Sequence, residues 1–139
     1  VISIADNRKI ASKYTARFLL ELHRKAITLP ETELYEYFLN HAVKITKSKI
    51  GFFHFVSDDQ KETKLTAWNK EALRTCNANY QDHYPITQAG NWADSIRLKH
   101  PIIYNQFKES PNQKGLPEGH ASVKRILTVP ILENDKARA

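Results

Sequence analysis

The chain of 139 residues is poor in features that would mark several classes of protein. It has a single cysteine, Cys76, so no internal disulfide can form and nothing indicates an oxidising compartment. No segment approaches the roughly 18 consecutive apolar residues that a membrane span requires, and no secretory signal region is present. We therefore expect one domain, located in the cytoplasm and without membrane contact.

Long runs of like charge are also absent. The net charge is +6 and the pI is about 9.4, values that would permit attraction to nucleic acid. The basic residues are interleaved with acidic ones, however, and no run of five like charges occurs. We interpret the lysines as solvated surface side chains and expect no nucleic-acid partner.

Methionine is absent, and the chain begins at Val1. It ends with ILENDKARA, shortly after a turn predicted at residues 133–135. This combination indicates a piece of a longer polypeptide.

Two amphipathic helices are predicted in the first third of the chain. Residues 8–29 lack Gly and Pro and place apolar residues at helical spacing, with Phe18 and Leu22 on one face. Pro30 breaks this helix, and the acidic residues after it favour a second helix over residues 31–47.

A β-hairpin is predicted next. Residues 50–56 are β-prone and aromatic, residues 57–60 supply a turn, and residues 63–68 alternate as a second strand. Successive side chains of a strand point to opposite faces, so the aromatic side chains divide into two sets. One face carries Phe53 and Phe55, and the other carries Phe52, His54 and Val56.

The second half of the chain predicts a short helix and two further strands. After a mixed segment at residues 70–82, Asn91 can cap a helix that runs to about Lys99. Strands are predicted at residues 102–104 and 124–132, with a Gly- and Pro-containing loop between them. Hairpins rather than βαβ units dominate this order, which predicts an α+β fold with an antiparallel sheet.

Three motifs follow one another along the chain: GFFHF at residues 51–55, AGNWAD at residues 89–94 and GLPEGH at residues 115–120. In this order they resemble a GAF domain, of the subtype found in bacterial sensor histidine kinases and cyclic-dinucleotide signalling proteins. The resemblance covers nearly everything after about residue 15.

This resemblance implies a single GAF-like domain over residues 1–139, with a central antiparallel sheet. N-terminal helices would cover one side of the sheet, and a helix and loop would wall a ligand pocket on the other. The helix at residues 8–29 would act as a linker and pair in a homodimer. The closing strand of the family, expected after the turn that follows Leu132, would be missing.

The family resemblance also implies a function. We expect a small-molecule-sensing input domain of a bacterial signal-transduction protein such as a sensor histidine kinase. Its partner would be an unidentified small-molecule ligand, and no cofactor is indicated by the sequence. The alternative is a ligand-free dimerisation or spacer module in the same kind of protein.

The residues expected to line the pocket combine aromatic rings with a few polar groups, as small-molecule sites do. They are Phe53, His54, Trp68, Tyr84, Gly90, Trp92, Asp94, Arg97 and His120. Arg97 and the helix start near Gly90 could receive a carboxylate or phosphate. Structural alternatives remain open: core packing for the tryptophans, backbone hydrogen bonds for the histidines, and a surface ion pair between Asp94 and Arg97.

Two positions depart from the family pattern. Similar domains often carry a His-Asn-Asp type sequence where this chain has Tyr104-Asn105-Gln106, and a branched apolar residue is more usual where Asn91 stands. Both differences would change the polarity of the pocket.

Catalysis is not expected of this domain. One enzyme branch of the superfamily reduces free methionine sulfoxide with cysteines, which requires an activated thiolate and a resolving thiol. This chain has Cys76 alone, and the residues around it, LRTCNANY, lack the usual signature for bilin attachment. The histidines and Cys76 show no paired metal-ligand spacing, so no metal site is expected.

Overall fold

The computed structural model describes residues 4–75, 83–111, 113–114 and 120–139. The helices are α1 (Ile4–Thr28), α2 (Glu31–Thr46), α3 (Lys70–Thr75) and α4 (Asp94–Leu98), with 3₁₀ turns at Asn91–Ala93 and Phe107–Glu109. The strands are β1 (Phe52–Val56), β2 (Glu62–Trp68), β3 (His83–Pro85), β4 (Ile102–Tyr104), β5 (Ile126–Thr128), β6 (Leu132–Glu133) and β7 (Lys136–Ala137). No helix in these ranges is long and apolar enough to cross a membrane.

The two N-terminal helices lie side by side, joined at Pro30. The Phe18 ring of α1 stacks on the His41 ring of α2, with centroids 3.5 Å apart. The ammonium group of Lys25 lies 4.6 Å from the centroid of the Tyr37 ring. The structure therefore confirms both predicted helices, although α1 begins four residues earlier than expected, at Ile4 rather than residue 8.

Strands β1 and β2 form the predicted hairpin, with Phe52 opposite Trp68 and Val56 opposite Thr63. The pairing register shifts between Phe53 and His54, which marks a β-bulge or irregularity at that point. On the outer side of β2 lies β3, a strand that the sequence analysis missed. Three residues ending in proline are too short to show an alternating pattern.

Helix α2 packs on one face of this hairpin. Phe53 stacks on Tyr35 with ring centroids 5.4 Å apart. Phe38 contacts the Phe53 ring edge-on, with centroids 6.0 Å apart. Gly51 allows the close approach of helix and strand, because a Cβ at this position would lie 2.7 Å from the Cγ2 atom of Val43. The aromatic side of β1 and the apolar side of α2 thus bury each other.

The C-terminal strand predicted at residues 124–132 is divided in the structure. Strand β5 ends at Thr128, and β6 begins at Leu132. Pro130 lies between them and has no N–H for a continuous ladder, which explains the interruption. Strand β5 pairs antiparallel with β4, so that Ile103 lies opposite Leu127.

A two-residue strand, β7, follows the turn after Leu132, and whether the full closing strand of the family is missing stays a prediction. Strand β7 follows a turn in which Asn134 and Asp135 have φ values of 50° and 62°, the left-handed conformations typical of tight hairpins. It pairs antiparallel with β6. Beyond it, the carbonyl oxygen of Arg138 accepts a hydrogen bond of 2.9 Å from the Val56 amide at the end of β1.

The described strands form small antiparallel sheets, ordered β1-β2-β3, β4-β5 and β6-β7, rather than one assigned central sheet. Three buried side chains, with Ile96 packed against them, make contact at the centre of these elements. They are Val56, Ile86 and Ala137. The architecture is a mixed arrangement of helices and antiparallel strands, as the element order predicts.

Candidate functional site

The face of the β1–β2 hairpin opposite α2 carries an aromatic cluster. Its members are Phe52, His54, Trp68, Trp92 and His120. Ring centroids lie 5.9 Å apart for Phe52 and Trp68, 6.4 Å for Phe52 and Trp92, and 6.5 Å for Trp68 and His120. Rings from two strands, a 3₁₀ turn and a loop therefore meet on one side of the hairpin.

His54 is the most unusual member of the aromatic cluster. Its ring stacks on the Trp92 indole with centroids 4.8 Å apart and an angle of 23° between the planes. Its Nδ1 atom is buried and has no hydrogen-bond partner within the described part of the chain. Burial disfavours the charged imidazolium and lowers the pKa of His54 to about 4. The ring is therefore neutral near pH 7 and retains an unused polar atom.

Four of the residues predicted to line a pocket are brought together in this cluster: His54, Trp68, Trp92 and His120. Phe53 is not among them, because the alternation of β1 directs it to the opposite face, against α2. Phe52 is present although the sequence analysis did not select it. Its position two residues before His54 was the signal that could have identified it.

His120 has a backbone partner. Its Nδ1 lies 2.8 Å from the carbonyl oxygen of Ala121, so this nitrogen carries the proton and donates it. A backbone hydrogen bond, the structural alternative to ligand binding for the histidines, is thus what the structure shows for His120.

Tyr84 lies in β3 opposite Thr63, and its side chain falls outside the described part of the structure. Cys76 and residues 115–119 also fall outside it.

Asp94 and Arg97 form a partly buried network beside the cluster, in which Asp94 is buried and Arg97 is partly exposed, rather than the surface ion pair considered from the sequence. The Asp94 side chain is 2% exposed and accepts hydrogen bonds from Arg97 Nη1 at 2.6 Å and from the Tyr104 hydroxyl at 2.7 Å. The bond to the Asp94 carboxylate, with a smaller contribution from burial, raises the pKa of Tyr104. The hydrogen bond between Tyr104 and Asp94 therefore connects strand β4 with helix α4.

The terminal nitrogens of Arg97 also bind the main chain of the segment that precedes Trp92. Nη1 donates to the Gly90 carbonyl at 3.0 Å, and Nη2 donates to the carbonyls of Ile86 and Ala89. The arginine expected to bind an anionic ligand is therefore engaged by the protein itself. It holds the segment that leads into the Trp92 turn.

Asn91 does not cap a helix as predicted. Gly90 is the residue that precedes the 3₁₀ turn, and the buried Asn91 amide donates to the hydroxyl of Ser110 instead. A three-residue turn followed by the five residues of α4 is also too short to provide the anion site expected near Gly90.

An open cavity of about 340 Å³ lies beside the segment of residues 87–89. It is lined by Thr87, Ala89, Arg97, Gln113 and Lys114. Among the predicted site residues whose side chains the structure describes, Arg97 alone lines it. The Lys114 ammonium donates to the Thr87 carbonyl at 2.7 Å across its edge. The aromatic cluster, where the rings pack against one another, is therefore a different region from this cavity.

Metal ligands were not expected from the sequence. Within residues 4–75, 83–111, 113–114 and 120–139, no group of three or more His, Cys, Asp or Glu side chains is placed to hold a metal ion.

The chain belongs to the GAF domain family, whose sequence model matches residues 28–139. It is also similar to the methyl sulfide methyltransferase-associated sensor of Methanosarcina acetivorans, with 27% identity over 106 residues. That alignment covers 75% of this chain and 11% of the relative, so the chain spans about a tenth of the relative's length. No solved structure matches the chain significantly.

Burial of His54 makes the stability of the domain depend on pH. The pKa of His54 falls from 6.5 to about 4 on folding, so the unfolded chain binds the extra proton between these values. Stability is full above pH 6.5 and declines as the pH falls toward 4. At pH 5 the loss amounts to about 2 kcal/mol. The difference between the free energies of unfolding in urea at pH 7.5 and at pH 5.0 measures this loss.

The matched variants for this experiment are His54→Phe and, at an exposed position, His100→Phe. His54→Phe removes the pH-dependent component, whereas His100→Phe retains it. An equal loss of stability in the wild-type chain and in His54→Phe would contradict the assignment of this component to His54.

Removal of the Arg97 guanidinium leaves a buried Asp94 carboxylate without its ionic partner. We expect Arg97→Met to lower the free energy of unfolding by about 2–3 kcal/mol, a low value for such a loss because 28% of the Arg97 side chain is exposed.

Lys99→Met is the control for this loss of charge, since Lys99 pairs with Asp135 in solvent and the change should have almost no effect. Chemical denaturation compares the two variants. Equal stabilities would show that the Asp94–Arg97 network is not a structural support.

Proposed function

We propose that this chain is the small-molecule-sensing input domain of a signal-transduction protein such as a sensor histidine kinase, and that it has no catalytic activity of its own. Membership of the GAF family and similarity to a protein named as a sensor support a sensing role. The observation that carries the proposal is the stacked pair of His54 and Trp92, with one buried polar atom unused.

The ligand would bind at the aromatic cluster. Flat rings from several elements, together with the buried Nδ1 atom of His54, form the kind of surface on which small ligands are recognised. Trp92 lies on a short 3₁₀ turn, and a ligand that stacks on His54 would displace its indole. The Arg97 and Asp94 contacts connect this turn to the main chain of residues 86–90 and to β4.

Signalling would follow from a difference in ligand affinity between two positions of this turn. A ligand shifts a conformational equilibrium only by its differential affinity for the two states. Because the turn and strand β4 share the Asp94 network, movement of Trp92 would reach β4 and, through β5, the C-terminal strands.

Ligand binding should raise the thermal stability of the domain. A compound present at about 100 times its Kd adds about 2.7 kcal/mol to the free energy of unfolding. We expect a screen of metabolites by thermal unfolding to yield compounds that raise the midpoint. Trp92→Ala should enlarge this rise, measured against its own ligand-free midpoint, because the indole that the ligand must displace is removed.

Ile103→Ala serves as the control, because Ile103 is an exposed residue of β4 that lies outside the cluster. It should show the same rise in midpoint as the unaltered chain. If no compound has an effect and Trp92→Ala leaves downstream signalling intact, the sensing proposal fails.

A ligand-free dimerisation or spacer module remains the second candidate, and helix α1 supplies the observation in its favour. Leu20 is 53% exposed and Ile27 is 74% exposed, while Tyr14 and Leu19 are exposed nearby. Leu20 and Ile27 are seven residues apart, which is the spacing of a coiled-coil seam. Covering these side chains with a second copy of α1 would remove their apolar surface from water.

This second candidate predicts a dimer that depends on α1. Ile27→Glu would place a charge in the seam and should give a monomer in sedimentation velocity measurements. Thr28→Glu adds the same charge at the neighbouring exposed position and should remain dimeric. Identical sedimentation of both variants and the unaltered chain would exclude the α1 seam.

A further inference from the structure

We propose that the aromatic cluster selects an uncharged, flat aromatic or heteroaromatic ligand that stacks on the His54 ring and forms one hydrogen bond with His54 Nδ1. This inference rests on the proposed function and specifies the ligand class for the same site. It follows from three features of the described residues: the geometry of the rings, the pairing of the nearby charges and the unused nitrogen.

The ring geometry favours a flat ligand. His54 and Trp92 lie nearly parallel, whereas Phe52 stands edge-on to both, at 79° to the His54 ring and 87° to the Trp92 ring. Phe52 thus forms a wall at right angles to the stack. A flat bicyclic compound has nearly the same shape as the indole that it would replace, so it could occupy the stack without rearrangement of β1 or β2.

The pairing of charges favours an uncharged ligand. The Asp94 carboxylate is bound by Arg97 and Tyr104, and the Arg97 guanidinium is further engaged by main-chain carbonyls. An ionic ligand would lose its hydration at the aromatic rings without gaining an opposite charge from these two residues. The network therefore disfavours anions, although an arginine lies close by in the sequence.

The unused nitrogen favours a ligand with one polar group. His54 Nδ1 is buried without a partner within the described ranges, and such an atom is costly to leave unsatisfied. Because burial lowers the pKa of His54 to about 4, the ring is neutral near pH 7. Its Nδ1 then either accepts from a ligand N–H or, in the other tautomer, donates to a ligand nitrogen.

Flat bicyclic probes of matched size separate these features. Indole offers an N–H donor, quinoline offers a nitrogen acceptor, naphthalene offers neither, and indole-3-carboxylate adds a negative charge. Calorimetric titration of the 139-residue chain at pH 7.5 gives the affinity of each, and thermal unfolding gives an independent measure of binding.

We expect the better of indole and quinoline to bind and indole-3-carboxylate to bind at least about tenfold more weakly than indole. His54→Phe keeps an aromatic ring but removes the polar nitrogen. The preference for the better heterocycle over naphthalene should therefore fall about tenfold in this variant. His54→Leu serves the same purpose if His54→Phe does not fold.

Equal affinity for indole and its carboxylate would overturn the selection of uncharged ligands. An unchanged preference over naphthalene in the His54 variants would overturn the hydrogen bond. If no bicyclic probe binds but a charged metabolite raises the midpoint in a Trp92-dependent manner, the inference fails and the sensing proposal stands. If neither the probes nor any metabolite binds, both fail.

Discussion

Strand β1 determines the arrangement of the whole domain, because its two faces carry different sets of rings. Phe53 faces α2 and stacks on Tyr35, whereas Phe52 and His54 face the aromatic cluster. A one-residue change of register would exchange the two faces and remove the packing surface for α2 together with the cluster. The pairing of β1 with β2 shifts in register between Phe53, which faces α2, and His54, which faces the cluster.

The second support of the site is ionic. Asp94, Arg97 and Tyr104 connect α4, β4 and the segment that leads to Trp92. Hydrogen bonds from Arg97 and Tyr104 help to offset the desolvation of the Asp94 charge. The 3₁₀ turn is thus held by two interactions: the Trp92 ring stacks on His54, and Arg97 binds the residues on either side of the turn, Gly90 and Asp94. The position of Trp92 is determined by both.

Segments in which apolar residues recur at helical or strand spacing could be predicted from the sequence. Contacts that side chains make with main-chain carbonyl groups could not. Helical spacing located α1 and α2, and the alternation in residues 50–56 located the hairpin and separated Phe53 from His54. The choice of Phe53 as a site residue disregarded that alternation. The partners of Arg97 are carbonyl groups, which every residue possesses, so no side-chain pattern distinguishes a structural arginine from a ligand-binding one.

The use of main-chain acceptors has a consequence for how such domains diversify. Arg97 binds the carbonyls of residues 86, 89 and 90, and Lys114 binds that of Thr87. The side chains of Thr87 and Gln88 are exposed and take no part in these bonds. Either side chain can therefore be exchanged while the segment that carries Trp92 keeps its main-chain supports, and an exchange at Thr87 also changes the lining of the cavity.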